Sequence, residues 1–379
     1  MGLPLDHALR NLGRRPLRTL LTALSSALVA ALLVGTAAFA RGLGDTFGGA
    51  ARPETALLLS KVADGDVVRS TAQAGLGSLV IASVPGVAVA SDEIHAGTSM
   101  SVPGFEGERA GFVRGVTRNA FDVHEAVTLV EGRVPGPGEA IVGRLVARQL
   151  GVPEGALGVG ATLRFEGADF AVVGRFVAPG TTIEAEVWTP LEPLRGLTQR
   201  DDSSAVFVRL EDDRALKRLR LFADRRLDLE LDVVTSEEYY GELSAYFRPI
   251  QRMAWFLACL VGFAALLGGA NVMAAAVQDR VRELAALRAI GYSTWALARS
   301  LLVEALVLGA AGAVVGIVVA RVAFTGGAVR LAMSAFELRL DGAATLTGLA
   351  GALLLALFSV VPASLRVARL PIARALSED

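Results

Sequence analysis

Hydrophobic and polar positions divide this chain into two kinds of segment. Four long apolar stretches, 19–40, 253–278, 300–320 and 342–365, hold no charged residue except Glu304 in the third. Each reaches the roughly 20 residues that a helix needs to cross a hydrocarbon core of about 30 Å. None has the charged face of a soluble amphipathic helix. Over 41–252 the pattern changes to short apolar runs punctuated by glycine and proline. The runs 56–59, 79–81, 87–89, 111–116, 140–142, 161–165, 170–173, 186–188 and 205–210 predict strands, with 161–165 and 170–173 forming a hairpin around 166–169. The segments 144–150 and 213–223 predict helices. Thr235 stands three residues before Glu238, the spacing of a capping box. It predicts a stalk helix over about 236–252 that runs on into the second apolar stretch, with Pro249 placed to kink it. The predicted fold class is therefore an α-helical membrane protein with four transmembrane helices (1+3) and a large extracytoplasmic α+β domain inserted between the first and second.

Composition agrees, with 53% hydrophobic residues and a mean hydropathy of +0.50. A net charge of −1 supplies no basic surface for a nucleic acid. Cys259 is the lone cysteine, so no intrachain disulfide holds the insert, which must rely on its own core. The arginines set the topology. Arg10, Arg14, Arg15 and Arg18 precede the first span, and Arg280, Arg282, Arg288 and Arg299 lie in the link 279–299. Arg366, Arg369 and Arg374 follow the fourth span. The positive-inside bias places the N-terminal segment 1–18, that link and the tail 366–379 in the cytoplasm, and 41–252 and the short connection 321–341 outside. Ala38-Phe39-Ala40 resembles a signal cleavage site, but the apolar run before it is longer than a signal core of 7–15 residues.

Candidate chemistry is sparse. A P-loop needs Gly-x-x-x-x-Gly-Lys-[Ser/Thr], and the two lysines, Lys61 and Lys217, follow Ser60 and Leu216. His7, His95 and His124 are isolated in sequence, which predicts no metal site, and the acidic residues of the insert read as solvated surface. Glu304 within a span is either a structural hydrogen-bond acceptor or a proton or cation site. Gly309, Gly312 and Gly316 make a small-residue face for helix packing, and Gly262, Gly268 and Gly269 offer a second. In the link, residues 279–290 predict a helix, Gly291 its stop and Ser293 the cap of the next helix. Val281, Leu284, Leu287 and Ile290 form a stripe flanked by Arg280, Glu283 and Arg288. Spacing alone fits a partner-docking helix and an ordinary anchored hairpin equally.

Several motifs then resemble one family. The run 11–22 (Asn-Leu-Gly-Arg-Arg-Pro-Leu-Arg-Thr-Leu-Leu-Thr) is similar to the entry segment of FtsX/MacB-type ABC-transporter permeases. Val84-Pro85-Gly86-Val87, 129–133, 139–143 and 170–174 resemble parts of their periplasmic core domain. The link 279–291, with Leu302-Val303-Glu304-Ala305 after it, resembles the family signature Arg-Glu-(apolar)-(apolar)-Leu-Arg-Ala-(apolar)-Gly and its continuation. The resemblance implies a non-catalytic permease subunit in a bacterial cytoplasmic membrane, dimeric with a second copy or paralogue and surrounded by membrane lipids. It would be driven by a separate cytoplasmic ATPase that binds ATP and Mg, so that this chain itself holds no cofactor. It further implies an ATPase-coupling role for Arg280, Arg282, Glu283, Leu284, Leu287, Arg288 and Gly291, and an outer partner or exported substrate. The rival expectation is a membrane-anchored receptor or assembly scaffold without an ATPase.

Overall fold

The computed structural model describes residues 16–331 and 334–369. Arg10, Arg14 and Arg15, with the rest of 11–15 in the entry motif, His7, and Arg374 in the tail lie outside the described residues. The chain opens with helix α1 (Pro16–Gly48), strand β1 (Thr55–Ser60) and helix α2 (Leu76–Ser83). Strands β2 (Val87–Ser101) and β3 (Arg109–Val116) follow, then α3 (Ala120–Val123), β4 (Thr128–Gly132), β5 (Glu139–Gly143) and α4 (Val146–Leu150). Next come β6 (Thr162–Phe165), β7 (Ala168–Val177), β8 (Glu186–Pro190), α5 (Leu191–Thr198), β9 (Ala205–Leu210), α6 (Asp213–Arg225) and β10 (Leu231–Thr235). The last third holds α7 (Ser236–Gln278), α8 (Val281–Ala289), α9 (Thr294–Phe324), β11 (Ala328–Leu331), β12 (Ser334–Glu337) and α10 (Gly342–Ala368).

These elements form two units. Among the described residues, one takes in 16–41, Pro249–Gly327 and 338–369; the other takes in Gly42–Arg248 and Ala328–Glu337. Among the described residues four helices, α1, α7, α9 and α10, are long and apolar enough to cross a membrane. In the apolar unit the small-residue face of α9 is used within the chain. A methyl group added at Gly312 or Gly316 would collide with the carbonyl oxygens of Ala23 and Ala27 on α1, and one at Gly309 would press on Ala356 of α10. Ser26 donates from Oγ to the Gly309 carbonyl at 2.9 Å, so the close approach also carries a hydrogen bond. Helix α7 differs. Only 6% of its apolar window is buried, against 33%, 39% and 33% for α1, α9 and α10, and a Cβ at Gly262 or Gly268 would meet open space.

The outer unit is built on a ten-stranded mixed sheet in the order β10-β1-β9-β2-β3-β8-β5-β7-β4, with β6 pairing β2 and β7. The β3/β8 and β5/β7 pairs are parallel and the others antiparallel. One face packs Ile94, Val113, Leu163, Phe165, Phe170, Val172 and Val187 into a core with α4 and α5. The β6–β7 hairpin turns on Glu166 and Gly167 alone, both at positive φ, as a two-residue hairpin turn requires.

The expected strand at 79–81 is instead part of α2. Leu76 and Val80, one helical turn apart, both enter the core with Val84; three apolar residues in a row cannot distinguish that spacing from a strand. The short strands β4 and β10, helix α5 and the β11–β12 hairpin lie where no element was expected. Thr235 and Glu238 form the capping box: Glu238 N–H donates to Thr235 Oγ1 at 3.1 Å, and Thr235 N–H donates to Glu238 Oε2 at 2.9 Å. From there α7 runs 43 residues with Pro249 inside it.

Candidate functional site

The link between α7 and α9 is a compact helical hairpin. Helix α8 is followed, past its cap Ile290, by Gly291, whose φ of 105° is open to glycine alone without strain. Ser293 then caps α9 by accepting from the Ala296 N–H at 3.2 Å. The stripe expected to face a partner faces inward for most of its length. Leu284 is buried and Leu287 half-buried against Met273, Leu297, Leu301, Val360 and Val367 of the flanking helices, so the chain's own bundle covers much of this stripe. An amphipathic helix on an apolar bundle buries its apolar side against that bundle first. The exposed surface is made by Arg282, Glu283, Gly291 and Ile290, the last 77% exposed. Trp295, in the first turn of α9, is 75% exposed.

Arg280 also turns inward and pairs with Glu304 at 3.4 Å, with both side chains nearly buried. Glu304 is thereby tied to the hairpin, which favours the structural reading of this carboxylate. Arg288 donates from Nη1 to the Val367 carbonyl of α10 at 3.4 Å. Arg280→Met alone removes the paired guanidinium from a nearly buried carboxylate and is expected to destabilise the hairpin by ~3 kcal/mol, much of which Arg280→Met/Glu304→Met recovers. A double-mutant cycle on thermal unfolding in detergent measures the difference, and equal loss in single and double variants would refute the pairing.

In the outer unit the second face of the sheet holds a buried charge cluster. Glu93 and His95 on β2, Arg114 on β3, and Glu186 and Trp188 on β8 project to one side, because alternate residues of a strand share a face. Arg114 makes a bidentate pair with Glu186 at 2.7 Å and 2.7 Å and a further bond to Glu93 at 2.8 Å. Glu93 also accepts from His95 Nε2 at 3.1 Å and from His124 Nε2 at 2.9 Å. Trp188 Nε1 donates to Glu186 at 2.9 Å. The guanidinium lies 5.7 Å from the Trp188 ring and 5.5 Å from the Phe207 ring. His95 and His124 are thus not isolated, and Glu93 and Glu186 are not the solvated surface that was expected.

Burial opposes ionisation of Glu93, yet His124 and Arg114 hold it well below the ordinary carboxylate range. Burial likewise opposes ionisation of Glu186, which Arg114 holds down. Burial, helped by the Arg114 charge, pushes His95 down to about 4. The unfolded chain therefore takes up the His95 proton near pH 6.5 while the fold refuses it down to about 4, so stability falls as pH drops through that window. Between pH 7 and 5 the loss is on the order of 2 kcal/mol. Below that, protonation of Glu93 and Glu186 removes more, because carboxylates with depressed values stabilise the fold only while ionised. Denaturant unfolding at the two pH values measures the slope, and His95→Gln should flatten it.

A second polar cluster joins the β11–β12 hairpin to the sheet. Arg144 bridges Glu184 at 2.9 Å and Glu337 at 2.8 Å, and Arg148 reaches Glu337 at 3.1 Å. Arg330 Nε donates to the Arg148 carbonyl at 2.8 Å, and Ala335 is buried with Leu145 and Ala185. The connection 321–341 is thus partly a built component of the outer unit.

Sequence-family models match on both sides of this architecture. The model of the MacB-like periplasmic core domain matches residues 19–220, and that of the FtsX-like permease C-terminal region matches 255–372. The chain belongs to the FtsX/MacB-like permease family. No curated protein sequence matches it significantly. Among solved structures, the periplasmic region of MacB from Actinobacillus actinomycetemcomitans is 12% identical with a TM-score of 0.41, over 51% of this chain and 94% of that one. The extracellular domain of the noncanonic ABC-type transporter YknZ from Gram-positive bacteria is 14% identical with a TM-score of 0.38, over 48% of this chain and all 100% of that one. The assignment rests on the family models.

Within this permease the Arg282–Gly291 signature lies wholly in the matched C-terminal region, and Arg282, Glu283 and Gly291 are each exposed. Sequence reasoning missed Trp295, whose tryptophan outside the apolar stretch was an available signal. It also missed both outer polar clusters, whose partners are up to 193 residues apart.

Proposed function

We propose that this permease is the membrane subunit of an ATP-driven complex, taking up the motion of a separate cytoplasmic ATPase at the α8 hairpin and passing it to the outer unit. The observation that carries this reading is the hairpin itself. Its Ile290 and Trp295 are exposed apolar side chains, while Leu284, Leu287 and the Arg280–Glu304 pair fasten it to the helix bundle. A push on such a surface moves the attached helices rather than a loose loop. Helix α7 is one helix from Ser236 to Gln278, and the β11–β12 hairpin, between α9 and α10 in the chain, is held to the sheet through Glu337. The family signature in the link supports the same role for Arg282, Glu283, Arg288 and Gly291.

The arginine distribution supports cytoplasmic termini in a bacterial cytoplasmic membrane. The bare apolar face of α7, with Gly262 and Gly268 open, supports pairing with a second permease copy or paralogue through that helix. ATP and Mg belong to the partner ATPase. The work delivered outside is export or extraction of a substrate, or activation of an outer partner. Affinity purification of the tagged chain from its host in mild detergent is expected to recover a P-loop ATPase. Recovery of correctly folded protein with no ATPase would favour the scaffold reading.

A further inference from the structure

The outer unit contains a cavity of about 680 Å³ between the base of α7 and the charged face of the sheet. That is the size of a pocket for a small organic molecule. Its walls are aromatic: Phe47, Phe112, Tyr239, Tyr240, Tyr246 and Phe247 all line it. Phe47 and Phe247 stack at 5.2 Å, Tyr246 meets Phe247 edge-on at 5.5 Å, and Tyr239 meets Tyr240 edge-on at 5.0 Å. Tyr240 is buried, and desolvation raises its hydroxyl to about 12, so it stays neutral.

The charge of the lining is one-sided. Asp64, Asp66, Glu186 and Glu242 are carboxylates, and Arg114 is the one basic side chain that is charged at neutral pH, since His95 is held neutral. Arg114 is already spent on Glu186 and Glu93. Asp66 pairs with Arg69 at 3.3 Å. Asp64 and Glu242 have no ion partner among the described residues, and the Glu242 carboxylate lies over Gly65, between Asp64 and Asp66 in the chain. Aromatic faces carry negative potential and attract cations. An acidic lip above them adds a second attraction of the same sign.

We infer that this cavity binds a small organic cation, an ammonium or phosphonium centre with an apolar body. The charge would lie toward the Asp64 and Glu242 lip and the apolar groups against the Phe47, Tyr246 and Phe247 rings. Bound there, the cation bridges α7 to the sheet, so occupancy would stiffen the base of the stalk. The inference stands independently of the ATPase reading, because the binding test uses no nucleotide and no partner.

The test uses the full chain in lipid nanodiscs, with empty nanodiscs as the blank for membrane partition. Equilibrium dialysis measures binding of tetraphenylphosphonium and of its isosteric anion, tetraphenylborate. Saturable binding of the cation and none of the anion above the blank is expected. Asp64→Asn/Glu242→Gln should weaken cation binding roughly tenfold, and Tyr246→Ala several-fold; all three positions are exposed, so folding is preserved. Equal binding of both ions, cation binding unchanged in both variants, or no binding to folded protein would each overturn the inference.

Discussion

Arg114→Met is expected to destabilise the outer unit by about 3–5 kcal/mol, the cost of removing one partner from a buried charge network. Glu93 and Glu186 would be left inside the fold with no guanidinium between them, and Trp188 with Phe207 would lose the cation against their rings. In a domain of this size the loss lowers Tm by roughly 10 °C. The defect should shrink as pH falls, because both carboxylates held down by Arg114 can then protonate and become tolerable in a low-dielectric site. Arg114→Met/Glu93→Gln/Glu186→Gln should recover most of the loss at pH 7, since no carboxylate is then left buried without its guanidinium. Trp188 reports the transition when Trp255 and Trp295 are replaced by Phe. A single variant as stable as the parent would show that the cluster is not a coupled network.

The cluster also shows where sequence reading reaches its limit. The alternation Glu93-Ile94-His95, Val113-Arg114 and Glu186-Val187-Trp188 marks strands with one apolar and one polar face, and the strands are there. A polar face reads as solvent-facing. It is buried here because Tyr240 from the start of α7 and Phe47 from the end of α1 are brought over it, an arrangement with no local signature. Long uniform patterns survived better. The four apolar stretches need only length and absence of charge, and the Thr235/Glu238 box needs only a three-residue spacing, so both were legible. Leu79-Val80-Ile81 was too short to carry a period. The α8 stripe was periodic, but periodicity reports an apolar face and not what covers it; the covering surface is the chain's own bundle at Leu284 and Leu287. Ile290 and Trp295 at the exposed end are what remains for a partner.

This packing decides where the proposed coupling is best tested. Glu283→Arg/Ile290→Glu changes exposed side chains at the hairpin surface and should leave the bundle intact, whereas substitutions at Leu284 or Arg280 would also unpack it. If the two positions act as interface anchors worth ~2 kcal/mol each, their loss weakens the ATPase contact by about a thousandfold. Coupling should then fail while helix content, detergent solubility and the unfolding transition of the outer unit stay as in the parent.

The direct measurement is ATP hydrolysis by the complex purified from its host and reconstituted in bilayers, with the parent chain and with Glu283→Arg/Ile290→Glu. The account predicts ATP turnover that depends on the parent permease and drops at least tenfold with the variant, at equal amounts of folded protein. Turnover unchanged by the variant would contradict coupling through this hairpin.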